Sequence, residues 1–127
     1  MLVAASVFAL LAAAIHVYIF VLESIRWTAP ATMTLFRIPS GEQAAHTQAL
    51  AYNQGFYNLF LAVGAVLGVL LLGMGNLAVG ATLMGFSTAS MMLAGAVLLL
   101  KDSRMLRPAL VQGVPALLAL VFLVAGL

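Results

Sequence analysis

The stretch Tyr52-Asn53-Gln54-Gly55-Phe56-Tyr57-Asn58-Leu59-Phe60-Leu61-Ala62 decides how this chain folds. Amides and aromatic rings here pass without a break into hydrocarbon side chains. The uninterrupted apolar run from Leu59 to Leu72 would reach only about 21 Å at 1.5 Å per residue, whereas the core of a bilayer is about 30 Å thick. The polar stretch must therefore enter the membrane itself to complete a transmembrane helix.

The composition of the whole chain supports a membrane location. Apolar residues make up 65% of the 127 residues and charged residues only 6%, with a mean hydropathy of +1.21. In soluble proteins charged residues make up roughly a quarter of the chain. The sequence thus predicts an integral membrane protein with one domain, residues 1–127. Nucleic acid is excluded as a partner, because a net charge of +2 from five Lys and Arg makes no phosphate-binding surface.

Four segments are long enough to span a bilayer. They lie at about residues 2–25, 54–73, 77–100 and 107–126. The predicted fold class is all-α, a bundle of four transmembrane helices with a short interfacial helical segment between helices 1 and 2. Pro30 and Pro39 bracket that segment, and Ser40 with Gln43 has the spacing of a capping box, which predicts a helix start near Gly41. Residues 28–51 are expected to form a lid over the ends of the bundle.

The cationic residues predict the orientation of the four spans. With four spans, both termini and the short Gly73–Asn76 turn share one side of the membrane. All five cations fall on the other side, namely Arg26, Arg37, Lys101, Arg104 and Arg107. The positive-inside rule then places the two charged loops in the cytoplasm and both termini in the periplasm or outside the cell.

Polar residues on different spans are expected to converge in the cytoplasmic half of the bundle. His16 and Glu23 are seven residues apart and share a helix face, while Arg26 lies at a spacing from Glu23 that permits an ion pair. On the second span, Gln54 and Asn58 are four residues apart. Because polar groups facing lipid are costly, all of these should point into the bundle.

These residues form the predicted site. His16 and Glu23 are its candidate acid–base residues, with His16 suited to proton transfer near neutral pH. The candidate ligand-binding residues are Asn53, Gln54, Tyr57, Asn58, Gln112 and Arg26. No metal site is predicted, since no H-x-x-x-H or E-x-x-H spacing occurs, and no cofactor is predicted.

Each residue of this site also has a structural interpretation. His16 could be a core histidine, and Glu23 with Arg26 an interfacial ion pair that ends the first helix. Gln54 and Asn58 could be hydrogen-bonding links between helices, and Tyr57 an anchor of the interfacial aromatic belt. Gly64 and Gly68 make a small-xxx-small pair and are predicted to be packing residues.

Two motifs resemble those of a known family. Ile15-His16-Val17-Tyr18-Ile19-Phe20-Val21-Leu22-Glu23 and Asn53-Gln54-Gly55-Phe56-Tyr57-Asn58-Leu59-Phe60-Leu61-Ala62 are similar to the two signatures of a small bacterial membrane family of unknown function, catalogued as domain of unknown function thirteen-oh-four. The resemblance covers essentially the whole chain and implies a compact four-helix protein of the bacterial inner membrane, without an established activity. It also favours the site residues that match the motifs, namely His16, Glu23, Asn53, Gln54, Tyr57 and Asn58.

Three functions are compatible with these observations. The first is a small inner-membrane protein whose polar, ionisable pocket binds a hydrophobic or amphiphilic small molecule, with isomerase-like acid–base chemistry as an extension. The second is a proton-coupled transporter of small molecules that uses Glu23 as its coupling group. The third is an accessory membrane subunit whose polar residues are structural. The bilayer and a lipid-like molecule are the expected partners, a homodimer is left open, and the sequence does not decide whether a reaction is catalysed.

Overall fold

A computed structural model describes all residues from 1 to 127 and contains helices and turns but no strand. Helix α1 (Leu2–Phe20) continues as a π-helical turn (Val21–Ile25), and the short α2 (Pro30–Leu35) follows. Next come α3 (Gly41–Gly73), α4 (Leu77–Lys101), a 3-10 turn (Ser103–Met105) and α5 (Leu106–Gly126). Four helical segments are long and apolar enough to cross a membrane: Leu2–Ile25, Gly41–Gly73, Leu77–Lys101 and Ser103–Gly126. The predicted all-α fold of four membrane-length helices is confirmed.

Helix α3 is the longest element and carries the Tyr52–Ala62 stretch in its interior. It begins at Gly41, as the capping pattern predicted, and the Ser40 hydroxyl accepts a hydrogen bond from the Gln43 backbone N–H at 3.1 Å. Its 33 residues make a helix of about 50 Å, which exceeds the hydrocarbon thickness. The exposed polar residues at its start, such as Glu42 and Gln48, mark the end that extends beyond the hydrocarbon.

The segment before α3 contains the predicted short helix. Pro30 occupies the first turn of α2, where its missing N–H costs nothing. The helix ends at Leu35, and Arg37, two residues further on, has a positive φ of 55°. Ile38 N–H bonds to Met33 O at 2.8 Å and Arg37 N–H to Thr34 O at 3.2 Å, the pattern of a Schellman cap. The predicted role of residues 28–51 as a lid stays a prediction.

The α3–α4 connection is the tight turn that the sequence predicted at Gly73–Asn76. Gly75 adopts a φ of 85°. Asn76 N–H donates to Leu71 O at 2.9 Å and Gly75 N–H to Leu72 O at 3.1 Å. The Asn76 side chain then accepts from Val79 N–H at 3.3 Å and caps α4. A residue in the left-handed region ends α3, and glycine takes that conformation without steric cost.

The chain divides into two compact units. One, here called the bundle unit, contains Met1–His16 and Leu61–Leu127. The other, here called the loop unit, contains Val17–Phe60. Helices α1 and α3 contribute to both units. The prediction of a single domain stays a prediction.

Small residues form the core of the bundle unit. The buried face of α1 is a row of alanines, Ala5, Ala9, Ala12 and Ala13. They pack in two clusters with residues of the other helices, including Ala62 and Ala65 of α3, Met84 and Met91 of α4, and Ala116 and Ala119 of α5. Phe8 and Phe122 stack at a centroid distance of 5.6 Å. Small side chains allow helices to approach closely, which is how membrane helices associate without a hydrophobic driving force.

Glycines determine the closest contact between α3 and α4. A Cβ atom on Gly68 would lie within 2.8 Å of Met84 Cα, and one on Gly64 would overlap the Ser87 hydroxyl. On the facing helix, a Cβ on Gly80 would come within 2.9 Å of Gly68 O. The prediction that Gly64 and Gly68 are packing residues is confirmed.

Candidate functional site

Glu23 lies at the centre of the π-helical turn that ends the first membrane-length helix. The Arg26 backbone N–H bonds to Val21 O at 2.9 Å, five residues back instead of four. Turns of this kind are rare and occur frequently at functional sites, because the wider turn changes the direction of a side chain. The local backbone of Glu23 therefore differs from that of a residue in a plain α-helix.

The carboxylate of Glu23 accepts a hydrogen bond from Asn58. The Asn58 Nδ2 atom lies 2.8 Å from Glu23 Oε2 and 3.1 Å from the backbone oxygen of Gln54. Both Glu23 and Asn58 are half-buried. Because one amide nitrogen contacts both its own helix and the carboxylate, Asn58 is held in one orientation and presents a fixed donor to Glu23.

Glu23 has no cationic partner. The structure has one Arg–carboxylate ion pair, Asp102–Arg104 at 2.9 Å, and a longer contact between Glu42 and His46 at 4.0 Å. Arg26, whose spacing permitted a pair with Glu23, is exposed and lies where the helix ends, with φ −117° and ψ 24°. The π-helical turn breaks the α-helical spacing on which that pair depended, so the ion pair is not formed.

Ser24 and Gly55 bring the two helices together beside this pair. The Ser24 hydroxyl donates a hydrogen bond to Tyr52 O at 2.7 Å. A Cβ atom on Gly55 would overlap the Ser24 hydroxyl and lie 3.1 Å from Glu23 Cβ. Gly55 is therefore the residue that lets α3 approach the π-helical turn closely.

Sequence reasoning did not identify Ser24 or Gly55 as site-forming residues. A signal for Gly55 was present, since a glycine inside a helix costs about 1 kcal/mol relative to alanine and calls for a packing reason. No comparable signal marked Ser24, because serine is a common residue near helix ends and its partner is a backbone oxygen.

Aromatic rings surround Phe56 in the same unit. Its ring centroid lies 5.1 Å from that of Phe20 in an edge-on arrangement, 5.0 Å from Tyr52 and 6.2 Å from Phe60. Such pairs contribute about 0.5–1.5 kcal/mol beyond the area they bury. The aromatic residues of the Tyr52–Ala62 stretch thus fix the same helix contact that the polar residues make.

Trp27 makes a second polar link between the end of the π-helical turn and α3. The Trp27 indole N–H donates to Thr47 Oγ1 at 3.1 Å, and that hydroxyl donates to Gln43 O at 2.8 Å. The Trp27 ring also contacts Phe36 at a centroid distance of 5.1 Å. These contacts tie α2 and the start of α3 to the chain that follows α1.

The structure brings together two of the predicted site residues, Glu23 and Asn58. The side chains of Asn53, Gln54, Tyr57 and Arg26 are exposed. Tyr57 is 54% exposed and has an edge contact with Phe60 at 6.5 Å. The binding roles predicted for these four residues stay predictions.

His16 belongs to the bundle unit and is fully buried there. Its Nδ1 atom lies 2.9 Å from Ala12 O, whereas Nε2 is buried and has no hydrogen-bond partner. With the proton on Nδ1, Nε2 presents a lone pair that no protein donor satisfies. An orphaned polar atom of this kind calls for an explanation. The prediction that His16 joins Glu23 as an acid–base pair stays a prediction.

Gln112, also in the bundle unit, is 9% exposed. It precedes Ala116 by one turn of α5, and His16 follows Ala12 by one turn of α1. Ala12 and Ala116 belong to one core cluster. Because α1 and α5 run in opposite directions, His16 and Gln112 both lie on the same side of that cluster.

The comparisons with known proteins give one match. A family model described as a protein of unknown function (DUF1304) matches residues 10–124. The matched region includes both sequence motifs, and with them Glu23 and Asn58. No curated protein matches the chain, and no solved structure matches it.

Proposed function

The chain belongs to the DUF1304 family of proteins of unknown function, and we propose that it is an inner-membrane protein that binds an amphiphilic small molecule through Glu23 and Asn58. One observation carries the proposal: a half-buried carboxylate in a candidate membrane span is held by an amide and has no cation beside it. Ionisable groups in membrane spans are rare and mark sites of function.

The chemistry of the site indicates which head group it would take. Asn58 engages Glu23 Oε2, and Oε1 accepts no hydrogen bond from the protein. A carboxylate oxygen in that state favours a ligand that donates, and a protonated amine adds a charge-assisted bond. The aromatic rings of Phe20 and Phe56 lie in the same unit and would favour a hydrocarbon tail.

An acid–base reaction would use Glu23 as well. A carboxylate that a neutral amide orients can take a proton from a bound molecule and return it. Asn58 would act as a positioning residue, because it contacts the carboxylate and not the reacting atoms. This step extends the binding proposal and requires that binding be shown first.

The binding proposal is tested with a long-chain alkylamine and the alkyl alcohol of the same length. We expect Glu23→Gln to weaken alkylamine binding by the purified protein by about tenfold or more, since hydrogen bonds to charged groups contribute about 1.5–3 kcal/mol. Binding of the alcohol should be weakened much less by the same substitution. Glu42→Gln is the matched control, because Glu42 is an exposed carboxylate on the same helix as Asn58.

Asn58→Leu is the second variant, with Gln48→Leu as its control. Gln48 is an exposed amide of α3 without a side-chain hydrogen bond. Asn58→Leu should reduce binding of both probes, because the carboxylate loses its orientation. Binding by Glu23→Gln equal to that of the original protein, with both proteins folded, contradicts the proposal.

A proton-coupled transporter is the second candidate, supported by the same unpaired carboxylate in a membrane span. The two functions differ in proteoliposomes. A transporter moves the alkylamine against its gradient when a proton gradient is imposed, and Glu23→Gln abolishes that flux. A binding protein shows saturable binding and no flux. An accessory subunit shows neither saturable binding nor flux. Glu23→Gln and Asn58→Leu then lower only its thermal stability.

The orientation belongs to the proposal as well. The charged loops are proposed to face the cytoplasm, because all five Lys and Arg residues lie on that side of the four spans. The chain has no cysteine, so single-cysteine variants report the topology without background. In intact cells, a membrane-impermeant maleimide should label Met74→Cys and leave Ser103→Cys unlabelled. The reverse result overturns the orientation and leaves the binding proposal standing.

A further inference from the structure

A shallow apolar groove of about 160 Å³ runs between α4 and α5, within the bundle unit. Its wall on α4 includes Gly95, Ala96 and Leu99, and its wall on α5 includes Ala109, Gly113 and Leu117. Gly95 lets the two helices approach closely beside the groove, since a Cβ there would lie 3.0 Å from Ala109 O. No polar side chain lines it, so the groove would favour a hydrocarbon chain over a polar group.

The groove begins next to the most cationic loop of the chain. Leu99 precedes Lys101 by two residues, and Ala109 follows Arg107 by two. Between them, Arg104 is tied to Asp102 by contacts of 3.0 Å and 2.9 Å, and Asp102 Oδ1 also accepts from the Arg104 backbone N–H. Lys101 and Arg107 are exposed. Three cationic side chains against one carboxylate give this loop a positive field at the mouth of the groove.

The length of the groove matches one leaflet of a bilayer. From Ala109 to Leu117 the helix advances about 12 Å at 1.5 Å per residue. Half of a hydrocarbon core of about 30 Å is about 15 Å. One acyl chain that enters beside the loop would therefore fill the groove and end near the middle of the membrane.

We propose that the α4–α5 groove, with Lys101 and Arg107 at its mouth, is a binding site for an anionic phospholipid. One acyl chain lies in the groove, and the phosphate contacts the two cations. Basic residues beside transmembrane helices bind anionic lipids, which are concentrated in the cytoplasmic leaflet. A zwitterionic lipid has its own ammonium group to neutralise the phosphate, so the site discriminates by head-group charge. This site is independent of Glu23 and Asn58.

The test uses native mass spectrometry of the full chain with dioleoyl phosphatidylglycerol and dioleoyl phosphatidylcholine, which carry the same acyl chains. We expect retention of phosphatidylglycerol in preference to phosphatidylcholine. The double variant Lys101→Gln/Arg107→Gln should lower phosphatidylglycerol affinity by about thirtyfold, since each cation near the surface contributes about fivefold. Arg107→Gln alone should lower the affinity about fivefold, whereas Arg37→Gln, which removes one exposed cation from the loop unit, should leave it unchanged.

The groove is tested separately from the charges. Ala96→Phe fills it, whereas Ala94→Phe places the same side chain at an exposed position of α4 outside it. We expect Ala96→Phe to lose phosphatidylglycerol and Ala94→Phe to retain it. Equal losses of affinity in Arg37→Gln and Arg107→Gln would show a diffuse surface effect and overturn the proposal. Retention by Ala96→Phe equal to that of the original protein would overturn it as well.

Discussion

The two compact units are stabilised by different interactions. In the bundle unit, alanine, glycine and methionine form the core, and the side-chain hydrogen bonds of its helices stay within one helix, as Thr88 does with Met84 O at 2.8 Å. In the loop unit, side-chain hydrogen bonds connect different elements, among them Glu23 with Asn58 and Trp27 with Thr47. Packing of small residues thus holds the four helices of the bundle unit together. The hydrogen bonds between elements are found where the chain leaves regular α-helix.

This difference indicates where function is to be sought. A bundle built on small residues needs no carboxylate, so Glu23 is not explained by the requirements of the bundle core. The loop unit places that carboxylate in a π-helical turn, and Asn58 donates a hydrogen bond to it. The four predictions that follow test whether the two units respond to different substitutions, beginning with the largest expected effect.

Gly68→Ala should destabilise the bundle unit most. The new Cβ would lie 2.5–2.8 Å from backbone and Cβ atoms of Met84, and overpacking of this kind costs about 2–3 kcal/mol. Thermal unfolding in detergent measures the loss. Gly73→Ala is the control, because nothing lies within 4 Å of a Cβ there, and its effect should stay within about 0.5 kcal/mol. Equal melting temperatures for the two variants would contradict glycine-dependent packing.

Gly55→Ala should disturb the loop unit through Ser24. The new Cβ overlaps the Ser24 hydroxyl, so we expect a loss of about 1–2 kcal/mol. Ser24→Ala alone removes the bond to Tyr52 O and should cost about 1 kcal/mol. Because the smaller residue makes room, the double variant should be more stable than the sum of the single losses by about 1 kcal/mol. If the stability losses of the two single variants add up in the double variant, the two residues do not contact each other.

Thr47→Val should weaken the second polar link of the loop unit by about 1 kcal/mol or less. Valine keeps the shape of threonine but offers no acceptor to the Trp27 indole N–H. Trp27 is the only tryptophan in the chain, so its fluorescence emission reports the change directly. Thr34→Val is the control, since the Thr34 hydroxyl bonds only to Pro30 O of its own helix. An unchanged emission spectrum in Thr47→Val would argue against the indole bond.

Arg37→Gly should stabilise the chain slightly. A residue other than glycine at φ 55° carries a backbone cost of about 1 kcal/mol, which glycine avoids, although glycine is also less restricted in the unfolded chain. We therefore expect a gain of about 0.5 kcal/mol in thermal unfolding. Arg37→Ala removes the same side chain and keeps the backbone cost, so it should give no gain. A larger gain from alanine would assign the effect to the charge.

The sequence was sufficient to predict the elements that depend on local patterns. Hydropathy predicted four membrane-length helices, Ser40 and Gln43 predicted the start of α3, and Gly73–Asn76 predicted its end. Each of these depends on residues close together in the chain. The glycine pair Gly64 and Gly68 was recognised because its spacing alone places both residues on one helix face.

The site was only partly predictable, for a physical reason. The expected Glu23–Arg26 pair assumed a regular α-helix, and a π-helical turn arises from tertiary contacts that no local pattern specifies. Asn58 was identified as a site residue, but its particular partner was not, since that depends on how α3 packs against the turn. Gly55 and Ser24 form the contact on which this packing depends. A glycine inside a helix indicates close packing but does not identify the residue it packs against.

The π-helical turn has a consequence for comparing this chain with its relatives. A π turn contains one residue more than the α turn it replaces, so Val21–Ile25 is equivalent to a single-residue insertion in α1. A relative with one residue fewer between Phe20 and Trp27 should continue as plain α-helix. Because a π turn absorbs its extra residue locally, the residues on either side of the gap would keep their positions in the structure. Alignments of this family should therefore place a one-residue gap at this turn and keep Phe20 and Trp27 in register.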